Sequence, residues 1–210
     1  MNSNNGNAVF SAFRDLVRKR VPEESCDLCS APLDSRHAHL LDVAQRQVMC
    51  ACTPCAVLFT DSMTRFRRIP RDVRHLPDCR LTDEHWAALG IPINLAFVFR
   101  SSVTGQMTAL YPSPGGAIES SSPADVWEEI VTHEPRLAKM QDDVQAFLVN
   151  RLAEPYQYYM APIDKCFELV GTVRLYWKGF TGGTEVWKQV ANLFARLKAT
   201  AECGPEVWHA

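Results

Sequence analysis

The apolar positions of this 210-residue chain change their spacing along its length, and the changes mark out its elements. Near the start, Val9, Phe10, Phe13, Leu16 and Val17 recur at helical intervals, with Arg14, Arg18, Lys19 and Arg20 among and after them. This predicts an amphipathic helix over residues 1–22, ending before Pro22, that packs on the protein itself, on a partner or on a membrane surface. The runs His39–Val43 and Arg46–Met49 read instead as two short strands of a hairpin. Phe66, Ile69, Val73 and Leu76 then fall at the spacing of a buried stripe, broken by Pro70.

Further on, Thr82 has the character of an N-cap for a short helix that Gly90 stops. Ile93–Arg100 and Met107–Tyr111 flank Ser101–Gly105 as a hairpin, which the loop Pro112–Gly116 ends. Ser122, Pro123 and Asp125 supply N-cap, first-turn proline and first-turn acid for a helix through His133. Ala146–Asn150, Tyr156–Ile163 and Phe167–Trp177 are β-prone, and Val186, Val190, Leu193, Phe194 and Leu197 form the stripe of a closing helix. The sum is an α+β chain: an N-terminal zinc-ribbon-like metal module followed by an antiparallel-sheet domain with covering helices. The boundaries fall at 1–22 for the first helix, 23–78 for the module with an arginine-rich extension, and 79–210 for the α+β domain.

The chemistry concentrates in the module. Cys26-x2-Cys29 and Cys52-x2-Cys55 have the spacing at which a tight turn points two sulfurs at one ion, and the hairpin between them returns the second pair to the first. Cys50 is a fifth thiol where four suffice, and it either replaces Cys52 or sits beside the site. His37 and His39 add imidazoles as further candidate ligands, although a lone histidine on a strand is more often an ordinary polar side chain. Four thiolates suit zinc first, with a single iron or an iron-sulfur cluster as the alternative. No carboxylate stands beside the cluster as a general base, so a closed structural site is expected rather than a hydrolytic one.

Composition changes the picture modestly. With 47% hydrophobic residues the chain can bury a substantial core, and a net charge of -2 with a pI near 6.3 argues against a general nucleic-acid binder. No run reaches the roughly 20 apolar residues of a membrane span, and the polar, Asn-rich start lacks secretory character. A reduced, cytoplasmic setting is expected, where clustered cysteines are metal ligands more often than disulfides.

Arg65, Arg67, Arg68, Arg71 and Arg74 place five arginines within ten positions, interleaved with Phe66. Guanidinium forks beside a metal knuckle suit phosphates, but the apolar stripe within the run explains its spacing, and an acidic protein partner is the better use of that face. Elsewhere, Gly179–Thr184 lacks the lysine of a P-loop, Cys166 at a strand start reads as a buried structural thiol, and His133 sits favourably at a helix end without chemistry. No recognisable catalytic motif is present.

Five segments taken in order, Cys26-Asp27-Leu28-Cys29, His39–Asp42, Cys50–Phe59, Tyr111–Ala117 and Gly182–Trp187, resemble a family of uncharacterised bacterial proteins. Members of that family are encoded beside uptake nickel-iron hydrogenases, often near Rieske-type ferredoxin and maturation genes. The resemblance runs from about Glu23 to Leu197 and implies an accessory role in hydrogenase assembly, maturation or complex docking, with hydrogenase subunits or maturation proteins as partners. It carries over the cysteine set and, with it, His37 and His39; it implies no catalytic residue, and Cys79 and Cys203 lie outside its pattern. The competing expectations are an iron electron carrier for the hydrogenase, a zinc-ribbon regulator that binds nucleic acid, and an enzyme with its site in the α+β half.

Overall fold

The computed structural model describes residues 24–59, 65–120 and 124–202. The helix expected over 1–22 lies outside the described residues. The architecture is mixed α+β with two antiparallel sheets. The smaller sheet contains β1 (Ala38–Asp42), β2 (Gln47–Ala51) and β3 (Phe66–Arg68) in the order β2-β1-β3, followed in the chain after β2 by a short helix α1 (Thr53–Leu58). The hairpin register sets His39 opposite Cys50 and Leu40 opposite Met49.

The larger sheet has six strands in the order β4-β9-β8-β5-β6-β7. They are β4 (Arg74–His75), β5 (Leu95–Arg100), β6 (Met107–Ser113), β7 (Gly116–Ser120), β8 (Gln145–Asn150) and β9 (Gln157–Pro162). Its central strands are buried on both faces. Leu95, Phe97, Phe99, Ala146, Leu148, Tyr159 and Ala161 face the helices α4 (Ile163–Tyr176) and α5 (Gly183–Glu202). The alternate positions Ala96, Val98, Phe147, Val149, Tyr158 and Met160 face α2 (Asp83–Ala88), α3 (Ala124–His133) and the 3-10 turn Pro135–Lys139. Period-two alternation thus builds two cores on one sheet. Leu41, Ile69 and Val73 belong to the first of them, so the small sheet and its extension share a core with α4 and α5.

Two elements differ from the sequence expectation. Phe167–Trp177 is not a strand: it lies within α4, whose buried residues Ile163, Cys166, Leu169, Val170 and Val173 follow helical spacing. The β-branched content of this segment masks a stripe that begins four residues earlier, behind Pro162. The loop Pro112–Gly116 does not end the hairpin either, because Pro112 stays in β6 and the chain turns back at Pro114-Gly115 into β7. Proline is tolerated there because the pairing of β6 with β5 stops at Leu110, so no ladder bond is forfeited on that side. Thr82 caps α2 as expected, its Oγ1 accepting from the His85 amide at 3.1 Å. The stripe Val186, Val190, Leu193, Phe194 and Leu197 is buried in α5.

The arginine-rich extension is the crossover between the two sheets. It forms β3 against β1 and then β4 against β9, which consumes its apolar stripe at Ile69, Val73 and Leu76. Among the described residues, no helix is long and apolar enough to cross a membrane.

The turn into α5 gives a test of this packing. Gly182 has φ +85, and a Cβ there would stand 3.0 Å from Val186 and 3.1 Å from Trp177, whereas Gly179 at φ +66 faces nothing within 4 Å. Gly182→Ala is expected to destabilise the protein by about 2–4 kcal/mol and Gly179→Ala by about 1 kcal/mol, read from denaturant midpoints; equal costs would contradict the contact.

Candidate metal centre

The first cysteine pair sits in a turn closed by backbone bonds on both sides. Ser30 N donates to Cys26 O at 2.8 Å, and Cys26 N donates to Ala31 O at 2.8 Å. Ser30 takes the left-handed conformation at φ 60, which reverses the chain just after Cys29. The second pair is positioned differently. β2 ends at Ala51, and Cys52 becomes the N-cap of α1 with Pro54 in its first turn, so Cys55 lies one helical turn on, where Ala56 N donates to Cys52 O at 2.8 Å.

Asp27 joins the two halves. Its amide donates to Cys50 O at 2.9 Å, and its carboxylate Oδ2 accepts from Cys50 N at 2.6 Å. Around this clasp, the sulfurs of Cys26, Cys29, Cys52 and Cys55 all lie within 4.8 Å of one another, and those of Cys29 and Cys52 are 3.6 Å apart. Two thiolates on a tetrahedral ion with Zn–S bonds of about 2.3 Å stand about 3.8 Å apart, so the set could hold a metal ion. Cys26 and Cys55 are buried with Ala38, Leu40, Ala51 and Ala56 in a small apolar core of their own, while Cys29 is exposed.

The sulfurs are electrostatically unequal. Burial raises the Cys26 thiol, but the amides of Cys52, Leu28 and Cys29 outweigh it and leave the thiol lowered to about 6. Cys55 is pushed up to about 12 by burial and then by the thiols of Cys52, Cys29 and Cys26. Cys29 is also raised: the Ala31 amide and the Cys55 thiol lower it, and the Cys26 and Cys52 thiols and burial outweigh them. The Cys26 thiolate forms readily, whereas Cys55 and Cys29 resist, because burial and the negative sulfurs beside them oppose further ionisation. A divalent cation removes that conflict.

Cys50 does not join these four. Strand alternation puts Ala38, Leu40 and Ala51 on the face of the β1–β2 hairpin that packs on the cysteine core, so His39 and its partner Cys50 face the other way. His37, His39 and Cys50 form a separate group whose ligand atoms lie within 4.8 Å of one another. Cys166, expected at a strand start, lies in α4 and is fully buried, its thiol held well above its ordinary value by burial.

The arginines have mostly internal acceptors. Arg65 pairs with Asp42, which also accepts from the amides of Ala44 and Gln45 at the hairpin turn. Arg67 reaches Asp143 at 3.2 Å and the Asp142 carbonyl at 3.3 Å. Arg71 donates to the carbonyls of His37 at 2.7 Å and Arg36 at 3.3 Å, Arg74 pairs with Asp72, and Arg68 is exposed on β3. Sequence reasoning gave no role to Asp27 or to Asp164, which meets His39 at 2.7 Å. Asp27 is legible in hindsight as the first residue inside a C-x2-C turn, but nothing local links Asp164 to a histidine 125 positions away.

A family profile described as "Family of unknown function (DUF5947)" matches residues 25–201. The chain belongs to the DUF5947 family. The matched span takes in both cysteine pairs, the second group at His37, His39 and Cys50, and nearly all of the six-stranded sheet with its helices. No curated protein and no solved structure matches this DUF5947 chain.

The unequal thiols fix a pH dependence. Between about pH 8 and about pH 6 an ion must displace the protons that the raised Cys29 and Cys55 thiols carry, so acidification weakens retention. Transfer of bound metal to a colorimetric chelator is expected to become more favourable by about tenfold per pH unit for each proton displaced, and a pH-independent transfer would contradict the four-thiolate set.

Proposed function

We propose that this chain is a non-catalytic, zinc-binding accessory protein of a nickel-iron hydrogenase, acting in assembly, maturation or docking, with the cysteine module as a zinc ribbon. The observation that carries the metal half is the convergence, among the described residues, of the four sulfurs of Cys26, Cys29, Cys52 and Cys55 within 4.8 Å of one another. Four protein ligands complete a tetrahedron and leave no position for substrate, which is the mark of a structural site. The hydrogenase half is supported by the resemblance of the five segments to proteins encoded beside those enzymes. Among the described residues, a cleft lined by Leu41, Val43, Arg46, Phe99, Asp143 and Phe167 has space for about one water molecule.

One observation favours the iron carrier as a second reading. Cys29 is exposed and Cys52 half-exposed, so one edge of the four-sulfur cluster reaches solvent, as an electron-transfer site requires. The nucleic-acid reading has less support, because Arg65, Arg67, Arg71 and Arg74 are engaged with protein acceptors. The outward parts of Arg65, Arg68 and Arg74 are instead where an acidic partner surface would sit.

Elemental analysis and a visible spectrum of untagged protein, followed by titration against the purified hydrogenase subunits, test the reading. Zinc without colour, with saturable binding to a hydrogenase subunit at physiological salt, is the expected result. Stoichiometric iron with a charge-transfer band makes the protein an electron carrier, and absence of binding to every subunit removes the accessory role. Retention on a phosphate-bearing column that salt abolishes would point to nucleic acid.

A further inference from the structure

The group His37, His39 and Cys50 has features that the four-thiolate reading does not use. His37 immediately precedes β1 and His39 lies within it, two positions apart and therefore on one face, and Cys50 is the cross-strand partner of His39. The Nε2 atoms of the two rings face each other at 3.2 Å.

What makes this confrontation informative is the other side of each ring. His39 Nδ1 stands 2.7 Å from the Asp164 carboxylate, and His37 Nδ1 stands 2.9 Å from the Asp34 carbonyl with Glu24 at 3.5 Å. Those partners only accept, so both Nδ1 atoms donate and each neutral ring carries its lone pair on Nε2. Two lone pairs then point at one another at 3.2 Å, an arrangement that repels unless a proton or a metal ion lies between, and the Cys50 sulfur lies within 4.8 Å of a ligand nitrogen of each ring. Two imidazole nitrogens on a tetrahedral ion with bonds of about 2.0–2.1 Å are about 3.3 Å apart, close to the separation present.

We propose that His37 Nε2, His39 Nε2 and Cys50 Sγ form a second metal site, distinct from the four-cysteine centre, for a borderline divalent ion of the zinc, cobalt and nickel class. Two nitrogens and one sulfur suit such ions better than hard cations. Asp164, in the first turn of α4, orients His39 as carboxylates orient metal-bound histidines, and Arg71 fixes the His37 backbone through its carbonyl. Three protein ligands leave a fourth position for solvent or an incoming donor. The His39 side chain is 32% exposed, so solvent reaches that ion. The site stands on its own residues and does not depend on the identity of the ion in the four-cysteine centre.

Cobalt titration of the full-length, metal-free protein tests it, because four-thiolate and mixed nitrogen-sulfur cobalt sites have different visible spectra. Wild-type protein is expected to bind two equivalents. His37→Ala/His39→Ala and Cys50→Ser should each lose the weaker equivalent while keeping the four-thiolate spectrum, which also reports that the module has folded. Asp164→Asn, which keeps the shape of the carboxylate, should weaken the second equivalent by about 10–100-fold and leave the first unchanged. A single equivalent in the wild-type protein would overturn the proposal and leave a proton shared between the histidines as the cation. So would a second equivalent that survives in the double histidine variant.

Discussion

Strand β1 is buried on both faces, and the rest of the structure is arranged to satisfy that constraint. Ala38 and Leu40 point into the small core with Cys26, Cys55 and Ala51. Leu41 points into the large core with α4 and α5, and His39 meets Asp164 on the same side. A five-residue strand cannot bury two faces with its own hairpin alone. The cysteine cluster closes one face, and the six-stranded domain closes the other.

This arrangement explains why the cysteines sit where they do. Below about 40 residues a chain rarely builds a sufficient apolar core, and the segment from Glu24 to Phe59 replaces the missing core with thiols that a metal can draw together. The arginine-rich extension then ties the module to the domain, since β3 completes the small sheet and β4 adds an edge strand to the large one. Its guanidinium groups mainly satisfy carboxylates and carbonyls exposed by that crossing: Arg65 on Asp42, Arg67 on Asp143, Arg71 on His37.

The parts that were legible in the sequence are those set by local spacing. The Cys26-x2-Cys29 turn, the β1–β2 hairpin, the Thr82 cap and the α5 stripe depend on neighbours within a few residues, and the fold has all of them, whereas Cys52-x2-Cys55 reads as a second turn but opens α1. The parts that were not legible depend on distant contacts. α4 reads as β-prone because Val170, Thr172 and Val173 are β-branched, and only its docking on the sheet through Cys166, Leu169 and Val173 gives the helix its advantage. The assignment of Cys50 turned on where β2 ends: a strand continued through Cys52 would have put Cys50 and Cys52 on one face, but the chain leaves the strand at Ala51 and α1 swings Cys52 to the other side.

The central claim is that the four cysteines act as a folding device for the module and carry no chemistry of their own. Hydrogen exchange, followed by peptide with the metal bound and after its removal by chelation, tests this most directly. The account predicts that protection collapses in the two cysteine turns and β2 when metal is removed, while β5, β8 and β9 keep theirs. Unchanged protection across residues 25–59 after complete metal removal would contradict it.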